Sequence, residues 1–398
     1  MKKGKYLFAV IFAACLLPVS AQMPVEEIIA NHIEARGGAK WQKVHSLKMT
    51  GAFTGFSITK PFTLYRSRPN KLYFDHYLGD KKMLIAYDGQ QLWWVNPWMN
   101  ISNAERIKPG PDHKVWIRET DFTTPFFDYK AQGFKVEYLG LEEYEGLRGH
   151  KIKLIRSDDH EETWYIDPDT YLEQARIAPG SDFGSPFPAQ VTFYDDFREV
   201  EGLKIPFVMD TSWHTRSRVL EVEKIEINAE VEETLFVKPL PPFVAPLIPI
   251  VGEWKVNTRM MFSPGGDWRE IPGESTVTLR NESRLFVQEA LVPGFNGPMG
   301  VYRTLSYNED SQTYTLTSYD DMSKYTNILV GTLEAGALTF DNLKTDTSWK
   351  AFGRTLHEKI VIKDISADSF TIETSNTADG GKKWWHYRSS TYTKAGDK

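Results

Sequence analysis

From Ser46 almost to the C-terminus, apolar residues recur at every second position, in short runs separated by turn residues. The run "KLYFDHYLG" places Leu72, Phe74, His76 and Leu78 on one face and Tyr73, Asp75 and Tyr77 on the other. "HSLKMTGAFTGF" does the same with Leu47, Met49, Gly51 and Phe53. A strand's side chains alternate between its two faces, so this period belongs to antiparallel sheets with one covered face. "KMLIAYDG" and "QQLWWVN" meet at Asp88-Gly89, the strongest short-range hairpin signal. The pattern therefore predicts a mainly β protein.

Helical spacing is clear in one place, ahead of it. "PVEEIIANHIEARGG" carries Val25, Ile28, Ile29 and Ile33 at helical intervals. Pro24, Glu26 and Glu27 suit the first turn, and Gly37-Gly38 ends the helix. An irregular stretch from Ile101 to Gln132 includes "ETDFTTPFFDYKAQG", read as the place for a short helix. "PLPPFVAPLIPI", residues 239–250, holds five prolines that break both helix and ladder. Its other residues are apolar, so it should be packed down rather than free. About ten further strand-like runs follow it, the signature of one antiparallel barrel. The predicted organisation is 1–21 signal peptide, 22–238 first β domain, 239–250 Pro-rich linker and 251–394 second β domain.

The N-terminus reads "MKKGKYLFAVIFAACLLPVSAQ". Three lysines, an apolar run and Val19-Ser20-Ala21 make a secretory signal, with Gln22 the first mature residue. The apolar run is shorter than the about 20 residues a membrane span needs. Cys15, the only cysteine, sits in a loose lipoprotein motif, "FAAC". Leu16 and Leu17 extend the apolar run past it and favour cleavage, so a periplasmic, secreted form is expected over an outer-membrane lipoprotein. Cleavage leaves no cysteine for disulfide, thiol or thiolate–metal chemistry. Losing Lys2, Lys3 and Lys5 takes the formal charge from −6 to −9, which argues against nucleic-acid partners.

The ordered set "ARGGAKWQKVHSLKMTG", "YDGQQLWWVNP", "YIDPDTYLEQARI", "DFREVEGLKIPF" and "KIEINAEVEETLFVKP" resembles the outer-membrane lipoprotein-sorting (LolA/LolB-like) superfamily. It spans most of residues 24–239. That resemblance implies an incompletely closed antiparallel half-barrel, a concave apolar face for acyl chains and a helical lid. Residues 250–393 resemble lipocalin-like barrels, including a bacterial family of unassigned function. The likeness rests on Gly252-Glu253-Trp254, on "LSYNEDSQTYTLTSYDDM" and on Arg388 in the last strand. It implies that Arg388 packs across Trp254.

The candidate ligand residues are Leu72, Phe74, Arg66, Trp94 and Trp98 in the first domain, and Trp254, His386 and Arg388 in the second. "LWWV" covers both faces of its strand, Leu92 and Trp94 on one and Trp93 and Val95 on the other; the resemblance implies that Trp93 is structural. Trp98, beside the irregular stretch, is the candidate lid contact. Arg66 and Arg68 read either as a head-group anchor or as a surface pair. Trp384, His386 and Arg388 share a face by alternation, so His386 would point inward and could ligate haem, or simply hydrogen-bond within the barrel. The acidic run "SDDHEE", residues 157–162, reads as a solvated hairpin tip. His160-Glu161 and His357-Glu358 lack the second zinc histidine, and Asp195-Asp196 and Asp320-Asp321 point to opposite faces. No catalytic constellation, metal site or cofactor is expected. The function expected is a non-enzymatic carrier of a lipid, a lipoprotein acyl chain or another apolar molecule, with a cell-envelope protein as a further partner. A hydrolase with a dispersed site and a protein-interaction scaffold are the alternatives.

Overall fold

The computed structural model describes residues 24–396, apart from 215, 262, 264, 282–283, 295–296, 322–324 and 352. The expected signal peptide, residues 1–21, with Cys15 in it, and Gln22 lie outside the described residues. The chain divides into two compact units, one made of residues up to Asn100 with Ile107–Val237, the other of Ile101–Arg106 with the residues from Lys238 onward. Both are antiparallel β structures, as the alternation requires.

The first unit supplies all strands of an open thirteen-stranded sheet except its edge strand, Ile101–Arg106. The sheet's first six strands form one meander starting at Ser46–Gly55, and its last seven form another ending at Arg216–Ile227. The two meanders join where these two strands pair. A register shift falls there, between Thr50 and Gly51. The helix Val25–Ala35 buries Ile28, Ile29 and His32 and packs with Phe126, Ile152, Leu154 and Trp164. Gly37, at φ +115°, turns the chain out of that helix into the 3-10 turn Gly38–Lys43.

The short helix of the irregular stretch lies at Pro111–Arg118, just before the segment expected to carry it. Pro111 and Asp112 are good first-turn residues. Pro125 and the paired threonines make residues 119–133 a run of turns instead. Among the described residues, no helix is long and apolar enough to cross a membrane.

The second unit is a closed ten-stranded antiparallel barrel. Gly252–Met260 pairs with Arg269–Arg280 on one side and Trp385–Lys394 on the other. Pairing of Ala337–Asp341 with Arg354–Lys363 completes the ring, and the short strand Trp349–Ala351 hangs on Arg354–Lys363. The Pro-rich stretch is packed down as expected. Its 3-10 helix, Ala245–Ile250, sends Leu247 and Ile250 into a core with Trp254, Phe286, Leu316 and Phe370.

Candidate functional site

The strand Lys71–Leu78 alternates half-buried and buried residues along its length, and its inner face is Leu72, Phe74, His76 and Leu78. These side chains meet Leu47, Met49 and Phe53 from Ser46–Gly55, together with Leu64, Ile85 and Trp94. Val115 and Trp116 of the helix Pro111–Arg118, with Phe122 after it, line the same space. The cavity has a volume of about 260 Å³. That is near the lower end of the range for small-ligand pockets, about 300–1,000 Å³. Its apolar part is aromatic-rich: Phe74 lies edge-on to Phe53 and Phe62, with centroids 6.0 and 6.1 Å away.

The other part of the lining is charged. Arg36 pairs with Glu173 and donates from Nε to the Lys204 carbonyl at 2.6 Å. Arg156 donates to Glu162 at 2.6 Å and to Asp121 at 2.8 Å, and Arg176 donates to Glu119 at 3.0 Å. Burial opposes ionisation of Glu119, but Arg176 and Arg66 outweigh it and hold this carboxyl below the usual range. Arg66 is different. Its buried Nε has no partner, and burial draws its pKa down despite the fields of Glu119 and Asp121. Those two carboxylates are already bonded to Arg176 and Arg156. Arg66 is thus a cation inside the wall at the cavity, not part of a surface pair. Arg68 is the outer one: it donates to the Val44 and Trp41 carbonyls at 2.7 and 3.0 Å.

His76 stacks on Phe74 at 4.2 Å, with its Nδ1 buried and unpartnered. Burial, then the charge of Arg218, pushes its pKa down to about 3. It is a neutral ring in the apolar lining. The helix Pro111–Arg118 is fastened at both ends. Asp112 accepts from Ser181 and from the Gly184 backbone, and Arg118 donates to Asp158 at 2.7 Å.

Leu72, Phe74, Arg66 and Trp94 therefore come together around one cavity. Trp93 faces away and donates to the Phe236 carbonyl at 2.7 Å. Trp98 does not line the cavity. It sits in the 3-10 turn Pro97–Met99, 44% exposed, against Phe56 and Lys81. Alternation stops at Asn96, whose side chain caps that turn, so strand logic could not place Trp98. Glu162 corrects the reading of 157–162 as wholly solvated, because it is buried against Arg156 and Trp164. Reading for apolar periodicity also missed Glu119, Arg176 and Tyr194. Their only sequence signal is charge or hydroxyl within strands and turns.

In the barrel, Trp254 is core, not pocket: it is 1% exposed and donates to the Ile250 carbonyl at 2.9 Å. The cation over its ring is Lys394, at 4.8 Å, and not Arg388. The register pairs Trp254 with Lys394 and puts Arg388 opposite Met260. Six residues of strand, about 20 Å, separate those two rungs. Arg388 does line a cavity in the barrel, but His386 does not. A β-bulge leaves Tyr387 unpaired between Arg388, opposite Thr374, and His386, opposite Ser375. Tyr387 and Arg388 both face inward, so the alternation is inverted before Arg388. His386 packs against Trp268, centroids 5.6 Å apart, which removes the ligand proposed for haem. Among the described residues, no group of three or more His, Cys, Asp or Glu is placed to hold a metal ion.

A family model described as a protein of unknown function (DUF1579) matches residues 245–394. No curated protein matches the chain. Among solved structures, a DUF1329 family protein from Desulfovibrio piger is similar, with 12% identity over 54% of this chain and 97% of its own, at a TM-score of 0.38. A domain assigned as an outer membrane lipoprotein-sorting protein, from Vibrio parahaemolyticus, has 12% identity over 53% and 95%, at 0.36. An S-type phycobiliprotein lyase from Guillardia theta has 12% identity over 38% and 90%, at 0.27.

Proposed function

We propose that this protein is a non-enzymatic carrier of an amphipathic lipid, whose apolar tail lies among Leu72, Phe74 and Trp94 and whose anionic head meets Arg66. The observation that carries this reading is the unpartnered Arg66 Nε beside an aromatic cavity. A guanidinium buried without a full set of acceptors is costly, and an incoming carboxylate or phosphate supplies the missing charge-assisted bonds. Each methylene withdrawn from water contributes about 0.8 kcal/mol to the transfer. The helix Pro111–Arg118, held by Asp112 and Arg118, acts as the cover. Release requires those polar fastenings to open, or a receiving partner that binds the open form better. The secretory signal and the resemblance to lipoprotein-sorting proteins support a periplasmic setting and lipid cargo.

Native mass spectrometry of the protein purified from periplasm, followed by lipid extraction, tests the reading. Co-purified lipid is expected. A long-chain carboxylate probe should bind Arg66→Met about tenfold more weakly, while the alcohol of equal length is unaffected. A protein that is always empty and never displaces a fluorescent fatty acid would sink the proposal.

A further inference from the structure

The barrel contains a second and larger cavity, of about 1500 Å³, that the proposed function does not use. Its construction follows the strand Gly252–Met260 inward residue by inward residue. Trp254 and Val256 belong to the packed core, Thr258 bonds Ser390 at 2.8 Å, and Met260 faces open space. The barrel is thus packed with apolar side chains at one end, crossed by a polar layer, and hollow beyond it.

Two arginines stand in that layer. Arg303, 7% exposed, donates to Gln288 Oε1 at 3.1 Å and to Ser318 Oγ at 3.3 Å. Gln288 is itself fixed by Ser275 and Tyr392, at 3.0 and 3.1 Å. Arg388 donates twice to Thr374 Oγ1, at 3.2 and 3.0 Å. All of these acceptors are neutral. Among the described residues, no carboxylate makes an ion pair with either guanidinium. Burial works against the charge of Arg388, but Tyr387 and Glu358 outweigh it, so the group stays a cation. Both arginines line the cavity, whose remaining charges are of both signs, Arg269, Arg354 and Lys383 with Glu270 and Asp379. The surrounding wall is apolar, with Ile271, Val292, Val301 and Leu356 beside Trp349 and Trp385.

A barrel that only needs filling uses apolar side chains throughout. A buried cation, Arg303, and a half-buried one, Arg388, bonded only to neutral oxygens are instead a site short of its anion. We infer that the barrel is a separate binding site for a long-chain or polycyclic carboxylate, its head held by Arg303 and Arg388 and its apolar body enclosed by the wall. Guanidinium–carboxylate pairing gives both the strength and the orientation.

Trp349 and Trp385 provide a local reporter on the full-length mature protein. Titration with 9,10-dibromostearate should quench fluorescence, and the share of that quenching that comes from Trp349 and Trp385 should vanish in the W349F/W385F variant. The matching brominated alcohol should bind at least tenfold more weakly, a comparison that needs no variant and so survives any misfolding. Arg388→Met and Arg303→Met should each lower carboxylate affinity about tenfold or more, with Arg388→Lys between them and the parent. Equal affinity for acid and alcohol, or no quenching that depends on Trp349 and Trp385, overturns the inference. Quenching confined to Trp94 and Trp116 also overturns it and leaves the first cavity's role standing. Quenching confined to the barrel does the reverse.

Discussion

The Lys394 ammonium sits 4.8 Å from the centre of the Trp254 ring, on the rung where the first and last barrel strands pair these two residues. Below the ring, Phe370 meets it edge-on at 4.9 Å. Trp254 therefore carries the closed end of the barrel, and Lys394 only shields it. Truncating a buried tryptophan costs about 3–5 kcal/mol, whereas an exposed cation–π contact contributes about 0.5–1 kcal/mol. Trp254→Ala should strip hydrogen-exchange protection from the strands Gly252–Met260 and Trp385–Lys394, and Lys394→Met should barely alter it. Equal losses in the two variants would contradict this division.

That pairing also marks the limit of what a sequence can disclose. Alternation located the inner face of Lys71–Leu78 and both faces of "LWWV", because a strand's side-chain period is independent of its neighbours. Composition alone indicated that residues 239–250 would be packed down. Which residue stands opposite Trp254 is a matter of register, which no single strand encodes. The bulge at Tyr387 is likewise invisible in the run "KWWHYRSSTYT", and it reversed the assignment of His386. In the sequence Arg66 is only one of two arginines before a proline. Its meaning depends on Glu119, Asp121, Arg156 and Arg176, brought together from distant parts of the chain.

His76 predicts a specific acid sensitivity. Its ordinary pKa of 6.5 is lowered to about 3, mainly by burial. Between those values the unfolded chain binds a proton that the folded chain refuses. Stability must fall as pH drops through this window, by up to about 1.4 kcal/mol per pH unit from this residue alone. In His76→Phe the loss of Tm between pH 7 and pH 4.5 should be visibly smaller than in the parent. An unchanged difference would mean that the ring is already protonated in the folded protein.

The seam between the two meanders rests on Gly51. A Cβ there would lie 2.1 Å from the Glu221 carbonyl oxygen, far inside contact distance, at the position where the register shifts. No side-chain rotation relieves a clash with backbone, so the two strands must part. Overpacking of this kind costs about 1–3 kcal/mol, and more where backbone must move. Gly51→Ala should lower the urea midpoint of the first unit, and Gly51→Val should lower it further. Gly110→Ala is a suitable comparison, since a Cβ there would meet only the Lys108 carbonyl oxygen, at 3.8 Å. If Gly51→Ala is no worse than that variant, the seam is looser than the geometry implies.

Trp94 and Trp98 stand four residues apart and should behave oppositely. Trp94 is 9% exposed and lines the first cavity, while Trp98 is 44% exposed, with its indole N–H bound to the Leu78 carbonyl at 3.0 Å. If the first cavity holds an apolar tail, shortening Trp94 removes wall area from the ligand, and shortening Trp98 removes only an outer contact. Burial at about 25 cal/mol per Å² makes several tens of Å² of lost contact worth roughly 1 kcal/mol, or about fivefold in affinity. Trp94→Ala should weaken a fluorescent fatty acid by that order, with Trp98→Ala inside twofold of the parent. Phe74→Ala should follow Trp94→Ala, because the two side chains line the same wall. Should Trp98→Ala prove the most damaging of the three, the ligand enters past the Pro97–Met99 turn and not beneath the helix Pro111–Arg118.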